Sequence, residues 1–255
     1  MRQPVLFAAH GSPLLALDRE KGKDYAAWAG MFPKPKGILA ISSHWLTKSL
    51  VIGATERAPV IHDYYGFPQE LYEMDYPAPG APELAEKTRQ FLKGKFEVAE
   101  NSERGLDHGV WVPLLHMYPN ADVPVLPVSM PGGYPSSELL KLGGALAPLR
   151  DDGVTIFISG NLTHNLSALD FSGKSPPHQW AVEFIEWLKL KLHNRDVTAI
   201  SNYATAPHYR MCHPTDDHFT PLLVAMGAAG SGSKVSFPVD GFEYGSLSRL
   251  CVMFS

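Results

Sequence analysis

The feature that most constrains the fold of this chain is a series of short apolar segments separated by amphipathic helical patterns. Residues 5–9, 38–42 and 154–158 are apolar almost throughout, which is typical of strands that are covered on both faces of a sheet. Residues 82–92 and 178–192 instead carry apolar side chains at helical spacing. Strands that alternate with helices form a mostly parallel sheet. We therefore predict an α/β fold with a mostly parallel central sheet flanked by helices.

The same alternation continues along the whole chain of 255 residues. No linker rich in Pro, Gly or Ser interrupts it, and no segment is repeated. This length is sufficient for one large α/β domain. We therefore assign residues 1–255 to a single domain.

Three local patterns make finer predictions about the elements. Apolar residues at helical spacing predict helices over residues 14–32, 136–149 and 218–229. Residues 123–129 are predicted to form a strand, although they contain two prolines. Proline cannot donate to a sheet ladder, so we expect part of this strand at an edge or at a strand end.

Charge and composition exclude several classes of partner. The formal net charge is −4, and no run of five or more Lys or Arg occurs, which argues against binding to nucleic acid or to an anionic membrane surface. No apolar stretch approaches the ~18 residues of a membrane span, and the N-terminus lacks the apolar core of a signal peptide. Cys212 and Cys251 are too few for a disulfide framework. We expect a cytoplasmic protein.

Four histidines occupy comparable places at the ends of predicted elements. His10 and His164 follow predicted strands, His44 closes another, and His218 opens a helical pattern. Ligands bind outside the carboxyl ends of the strands in an open α/β sheet, and neutral imidazole is the commonest protein ligand for metals. The four histidines therefore indicate a metal site. Each of them alone is equally well explained as a buried, hydrogen-bonded side chain.

A fifth histidine lies beside a carboxylate in the segment Asp107-His108-Gly109. Such a histidine can act as a general acid or base. The alternative is that Asp107 is simply the N-cap of the following helix.

The segment 61–68 is both aromatic and polar, without the period of a helix or a strand. A long, stiffened loop of this kind is more often functional than a plain connector. We name His62 and Tyr65 as candidate substrate-binding residues, although the aromatic side chains could equally pack the loop against the core. His62 and Asp63 pose the same question as the pair of Asp107 and His108.

Other catalytic patterns are absent from the sequence. It contains no phosphate-binding Gly-x-x-x-x-Gly-Lys-Ser/Thr, no Gly-x-Gly-x-x-Gly and no Gly-x-Ser-x-Gly.

Taken in order, these motifs resemble the class III extradiol ring-cleavage dioxygenases, in the 4,5-DOPA dioxygenase-like branch, whose domain is of the catalytic-subunit type. The matching segments extend over nearly the whole chain. They are His10-Gly-Ser-Pro, Ser42-Ser-His-Trp, Ile61-His-Asp-Tyr-Tyr-Gly-Phe-Pro, Tyr76-Pro-Ala-Pro-Gly, Gly105-Leu-Asp-His-Gly, Ser159-Gly-Asn-Leu-Thr-His-Asn-Leu, Pro214-Thr-Asp-Asp-His and Gly245-Ser-Leu-Ser.

The resemblance implies a mononuclear metal bound by His10, His44 and His218. His164 is implied either as a fourth ligand or as the catalytic acid/base, and His108 as an active-site histidine that orients substrate and oxygen. Fe(II) is the implied catalytic metal, and Zn(II) also fits a set of histidines. The implied substrates are a small aromatic diol of the catechol type, such as DOPA, and O2, with no organic cofactor.

The sequence departs from the wider class, which uses two histidines and one carboxylate as ligands. Here His218 takes the third position, with Asp217 beside it as the alternative ligand. This departure keeps two other hypotheses open. One is a zinc protein of the same fold with a hydrolytic or other non-oxidative activity, since zinc has no redox chemistry. The other is a non-catalytic partner subunit, which a full set of histidines argues against.

Overall fold

Eight strands form the central sheet of the computed structural model, which describes residues 2–57, 59–172 and 175–255. Within these ranges the strands are β1 (Val5–Ala9), β2 (Gly37–Thr47), β3 (Leu50–Ile52), β4 (Val60–Ile61), β5 (Val98–Glu100), β6 (Leu106–Asp107), β7 (Val125–Pro131), β8 (Val154–Gly160), β9 (Val235–Ser236), β10 (Phe242–Glu243), β11 (Leu247–Ser248) and β12 (Val252–Phe254). The sheet order is β5-β3-β7-β2-β8-β1-β12-β9.

The helices in the same ranges lie between the strands along most of the chain. They are α1 (Arg19–Ala29), α2 (Gln69–Tyr72), α3 (Pro82–Leu92), α4 (His108–Met117), α5 (Ser136–Leu146), α6 (Gln179–His193), α7 (Val197–Ser201), α8 (Tyr209–Cys212) and α9 (Pro221–Ala229). Short 3-10 helices cover Pro13–Leu17, Ala147–Asp152, Leu166–Ala168 and Tyr203–Thr205. None of the helices in the described ranges is long and apolar enough to cross a membrane.

The centre of the sheet is parallel, which confirms the predicted fold class. Strands β7, β2, β8 and β1 pair in parallel in that order, while β12 and β9 add antiparallel pairs at one side. Alternate side chains of each strand enter two cores. Phe7 and Ile41 pack in the core that contains α3, α5, α6 and α9, and Leu6 and Ala40 pack in the core that contains α1 and α4. Both faces of the sheet are therefore buried, as the apolar runs predict.

The predicted helix over residues 14–32 is divided in two. A 3-10 helix ends at Leu17, and α1 begins at Arg19 after Asp18, whose carboxylate accepts from the backbone N–H of Lys21 at 3.0 Å. The apolar spacing continues across both pieces, but the cap at Asp18 starts a new helix.

The predicted strand with two prolines is β7, which is central in the sheet, so an edge position is wrong. Pro124 lies just before its first residue, at a strand end as the other half of the prediction has it. Pro127 pairs with Ala40 of β2, and its carbonyl oxygen accepts from the N–H of Gly53 at 2.8 Å on the other side. The nitrogen and the carbonyl oxygen of one strand residue face the same side. The nitrogen of Pro127, which has no N–H to donate, therefore faces β3. Ile52 and Val128 form the single pair between β3 and β7 among the described residues, so few hydrogen bonds between these strands are lost.

Candidate metal centre

His10, the first residue after β1, has one ring nitrogen held by the neighbouring strand. Its Nδ1 lies 2.9 Å from Oγ of Ser159 on β8, and its side chain is buried. Its backbone N–H donates to the carbonyl oxygen of Gly160 at 3.2 Å. The Nε2 atom is thereby directed away from the sheet towards two other imidazoles.

His44 lies inside β2 at an irregularity of the sheet. The register between β2 and β7 shifts between Ser42 and Leu46, and such bulges redirect side chains beside active sites. The backbone N–H of His44 donates to Oγ of Ser42 at 3.1 Å. Nδ1 of the ring lies 3.4 Å from Oδ2 of Asp63.

His218 precedes α9, which begins three residues later at Pro221 and not at residue 218 as the periodicity predicts. Its carbonyl oxygen accepts from the N–H of Asn161 at 3.1 Å. A Cβ atom on Gly160 would lie 2.4 Å from this oxygen, so only glycine at the end of β8 allows the approach. On the ring, Nδ1 is hydrogen-bonded to Oδ2 of Asp217.

The three remaining ring nitrogens converge on one point. Nε2 of His44 lies 3.1 Å from Nε2 of His10 and 3.3 Å from Nε2 of His218. Nitrogens that share one ion at 2.0–2.1 Å lie about 2.9–3.4 Å apart in octahedral or tetrahedral geometry. In each of the three rings the other nitrogen, Nδ1, faces a hydroxyl or a carboxylate oxygen. Such groups are the usual outer partners of metal-binding histidines. The donor set therefore fits a transition-metal ion such as iron or zinc.

The electrostatic environment keeps the imidazoles of His10 and His44 neutral. Burial is the largest cause, and the neighbouring imidazoles add to it, so the pKa values of His10 and His44 lie well below the ordinary value. Neutral imidazole is the form that binds metals. Asp217 faces Nδ1 of His218 and is outside the group of converging atoms. Burial opposes its ionisation, but the hydrogen bond with His218 prevails and lowers its pKa.

His164 lies beside this group and not among its converging atoms. Its ring stacks on the ring of His218, with centroids 3.5 Å apart and planes 6° from parallel. A ring stacked in this way presents its face, and not a nitrogen, to its neighbour. Burial, with a further contribution from His218, lowers the pKa of His164 to about 3. The same ring also lines the neighbouring cavity.

The fifth histidine, His108, is held by a carboxylate far away in the sequence. Its Nδ1 lies 2.8 Å from Oδ1 of Asp63, and its backbone N–H donates to the same oxygen at 3.0 Å. Burial opposes ionisation of Asp63, but the two bonds from His108 outweigh it, and the pKa of Asp63 lies below its ordinary value. With Nδ1 occupied, Nε2 of His108 is the nitrogen available to a ligand.

Asp107, the neighbour of His108, takes the predicted N-cap position at the start of α4 but does not act as a side-chain cap. Its carboxylate accepts from Ser42 at 2.7 Å and from Arg104 at 2.6 Å. Arg104 also donates to the carbonyl oxygen of His44 at 3.3 Å. Through Arg104, Asp107 therefore stabilises the backbone of His44, a candidate ligand.

A cavity of about 730 Å³ opens from the histidines to the surface. His10, His44, His108 and His164 line its inner end. The loop after β4 contributes one wall, and Tyr65 lies at the mouth with 92% of its surface exposed.

The structure separates the two loop residues named from the sequence. Tyr65 lines the cavity, whereas His62 is outside the described lining. Nε2 of His62 lies 3.1 Å from the carbonyl oxygen of Met74, and its ring packs against Tyr64 and Trp111. His62 thus anchors the loop to the core on the side away from the cavity lining.

Sequence reasoning missed Ser159 and Asn161 and paired Asp63 with the wrong histidine. Asp63 bridges His44 and His108, Ser159 holds His10, and Nδ2 of the buried Asn161 lies 3.0 Å from Nε2 of His10. Asn161 and Ser159 belong to the same short motif as His164, and a polar side chain at the end of an apolar strand was the available signal. Nothing in the local sequence distinguishes Asp63 from Asp107 as the partner of His108.

Comparison with known proteins gives a family match over nearly the whole chain. The family model described as the catalytic LigB subunit of aromatic ring-opening dioxygenase matches residues 5–255. A protein of Escherichia coli (strain K12) named 4,5-DOPA dioxygenase extradiol is 37% identical over 255 residues, covering 98% of this chain and 94% of that protein. A protein of Beta vulgaris with the same name is 41% identical over 253 residues, covering 96% and 93%.

A solved structure shows the same fold. The crystal structure of an uncharacterised protein of Escherichia coli K12 superposes with a TM-score of 0.83 at 32% sequence identity, and the match covers 100% of both chains.

Proposed function

This chain belongs to the family of the catalytic LigB subunit of aromatic ring-opening dioxygenases and is an extradiol ring-cleaving dioxygenase, and we propose that it cleaves a catechol-type, DOPA-like substrate with Fe(II) held by His10, His44 and His218. One observation carries this assignment. Three Nε2 atoms converge with spacings of 3.1 and 3.3 Å at the inner end of a cavity large enough for an aromatic ligand.

The metal and the substrate have distinct places in this proposal. When bound at the three nitrogens, Fe(II) would supply Lewis acidity towards the catechol oxygens and the capacity to exchange electrons with dioxygen. The walls of the cavity hold the ring with its two hydroxyl groups towards the histidines, so that ring and oxygen react at close range. Tyr65 covers the ring from the mouth, and His62 holds the loop that carries Tyr65.

The proton transfers belong to the two histidines outside the set of ligands. The bond to Asp63 keeps the proton of His108 on Nδ1, so Nε2 is free to accept a proton from a catechol hydroxyl. His164 is neutral and lines the cavity beside His218, where it would accept the proton of the second catechol hydroxyl and give that proton back as the ring opens. We assign His164 to this role because its ring stacks on His218 and it is not in the group of converging ligand atoms among the described residues.

The test is metal-dependent oxygen consumption. Purified protein is loaded anaerobically with Fe(II) or with Zn(II), and DOPA and other catechols are added in air. We expect O2 uptake and a yellow ring-fission product with iron, and neither with zinc. Ester hydrolysis by the zinc form without oxygen uptake by the iron form would overturn the proposal and favour the hydrolase hypothesis.

The ligand assignment has its own control. His10→Ala is expected to lose bound metal, because catalytic sites of this kind hold their ion with three protein ligands and the variant would keep two. His193→Ala changes an exposed histidine at the end of α6 and is expected to retain the full metal content. Equal metal content in both variants would remove His10 from the set.

A further inference from the structure

Tyr244 has a backbone conformation that tyrosine rarely adopts. Its φ of 52° lies in the left-handed region, where the Cβ atom of an L-residue comes too close to the following carbonyl oxygen. Tyr244 lies in the loop between β10 and β11, and positions of positive φ in such hairpin loops are normally Gly, Asn or Asp. The backbone alone would favour glycine here, so the tyrosine side chain needs another explanation.

The strained residue coincides with the cavity beside the histidines. Four non-glycine residues in the described part of the chain have a positive φ, and Tyr244 is the one among them that lines this cavity. The other three are Ala121, Arg195 and His208. Non-glycine residues in the left-handed conformation cluster at active sites and ligand-binding sites.

Hydrogen bonds from other segments fix the loop that carries the strain. The carbonyl oxygen of Tyr244 accepts from the backbone N–H of Asp170 at 2.9 Å. The carbonyl oxygen of Ser246 accepts from the hydroxyl of the buried Thr163 at 2.6 Å. An unfavourable conformation persists only where the surrounding structure determines it. These bonds supply that constraint, and one of them comes from the residue that precedes His164.

The ring of Tyr244 extends along the cavity wall from the histidine end towards the mouth. Ser12, two residues after His10, lies beside its hydroxyl group. The ring of Phe171 lies with its centroid 5.4 Å from that of Tyr244 and its plane at 45°. Ser12 and Phe171 line the same cavity, and Phe171 is exposed at its mouth. The ring of Tyr244 therefore offers a π surface to an aromatic ligand in the cavity.

We propose that Tyr244 is a substrate-binding residue whose ring packs against the aromatic ring of the bound catechol, and that its strained backbone is retained for this contact. The inference rests on the proposed function, because it takes a catechol to bind at the histidine end. Aromatic pairs attract each other beyond the effect of the area that they bury. Loss of the ring is therefore expected to weaken substrate binding about tenfold and to leave the metal content unchanged.

The test separates loss of the ring from relief of the strain. Tyr244→Gly and Tyr244→Ala both lack the ring, but only glycine adopts the left-handed conformation freely. Absorbance titration of the Zn(II)-loaded protein with 4-nitrocatechol gives a Kd without turnover, and kcat and KM for DOPA are measured on the iron-loaded enzyme.

We expect Kd and KM to rise about tenfold in both variants. The ratio of folded to unfolded protein in denaturant should be about 2–10-fold higher for the glycine variant than for the alanine variant. Tyr244→Phe, which retains the ring, is expected to bind like the wild-type protein. A purely structural role predicts instead that binding follows stability, so that the glycine variant binds more tightly than the alanine variant.

Arg195 provides a matched control, because it is exposed, has a φ of 55° and is outside the lining of this cavity. Arg195→Gly and Arg195→Ala are expected to differ in stability in the same direction and to leave Kd unchanged.

The outcomes separate this inference from the proposed function. A Kd for Tyr244→Gly equal to that of the wild-type protein overturns the inference alone. If the iron-loaded wild-type protein binds 4-nitrocatechol but cleaves no catechol, the proposed function is overturned, and the Kd values still decide the role of Tyr244. Absence of catechol binding by the wild-type protein overturns both.

Discussion

Replacing Asp63 by asparagine tests whether one carboxylate orients two active-site histidines at once. Oδ1 lies 2.8 Å from Nδ1 of His108, and Oδ2 lies 3.4 Å from Nδ1 of His44. In both rings the proton must be on Nδ1, so that the lone pair of Nε2 is available to a ligand. Asparagine retains one oxygen and replaces the other by an NH2 group, so it can accept from only one of the two rings. The Nδ1–H of the other ring then faces the NH2 group of the asparagine, and neither group can accept a hydrogen bond from the other.

The size of the effect follows from the bonds that are lost. A hydrogen bond to a charged group contributes about 1.5–3 kcal/mol, and loss of an outer partner of a metal-binding histidine typically costs about 10–100-fold in metal affinity or activity. With 21% of its side chain exposed, Asp63 is sufficiently buried for this range to apply. We therefore expect Asp63→Asn to lower kcat by about 10–100-fold, or metal affinity by a similar factor, depending on which ring the remaining oxygen faces.

The assay measures metal affinity by competition with a chelator beside kcat and KM on the iron-loaded enzyme. Asp75→Asn is the matched control, because Asp75 forms an exposed ion pair with Arg57 at 2.9 Å and such pairs contribute about 0–1 kcal/mol. Asp63→Glu, which retains both oxygens, is expected to recover part of the loss. The reasoning is refuted if Asp63→Asn matches the wild-type protein in both metal affinity and kcat.

Three further predictions follow from the same structure. His108→Ala and His164→Ala should each retain metal and lose about 10²–10⁴ in turnover, as metal stoichiometry beside initial rates would show; loss of metal from the second variant would make His164 a ligand. Tyr65→Ala should change KM more than metal content, and a metal-free variant would contradict its place at the mouth. Gly143→Ala should lower the free energy of unfolding in denaturant by at least about 1–3 kcal/mol, because its Cβ would lie 2.0 Å from a carbonyl oxygen of α9, whereas Gly144→Ala has ordinary contacts and should be neutral or stabilising.

Much of the fold was predictable because hydrophobic periodicity is a local property. Apolar runs such as residues 5–9 and 154–158 are strands in the structure, and they form the parallel centre of the sheet. The boundaries were less predictable where a single cap or a proline acts, as at Asp18 and Pro221. The central position of the strand with Pro127 depends on which neighbour faces its nitrogen, and no local pattern contains that information.

The sequence by itself determined that His10, His44, His164 and His218 lie near one another, because the carboxyl ends of parallel strands and the loops beside them meet at one edge of the sheet. Only the tertiary structure decided how each imidazole is oriented. Three rings present Nε2 to a common point, whereas His164 stacks on its neighbour.

The partner of His108 was likewise decided only by the tertiary structure. The adjacent Asp107 points to Ser42 and Arg104, and the carboxylate that binds His108 comes from Asp63, 45 residues earlier in the chain. Periodicity specifies which face of an element is buried. It contains no information about which of two carboxylates reaches a ring, because that depends on the path of a loop and on packing between distant elements.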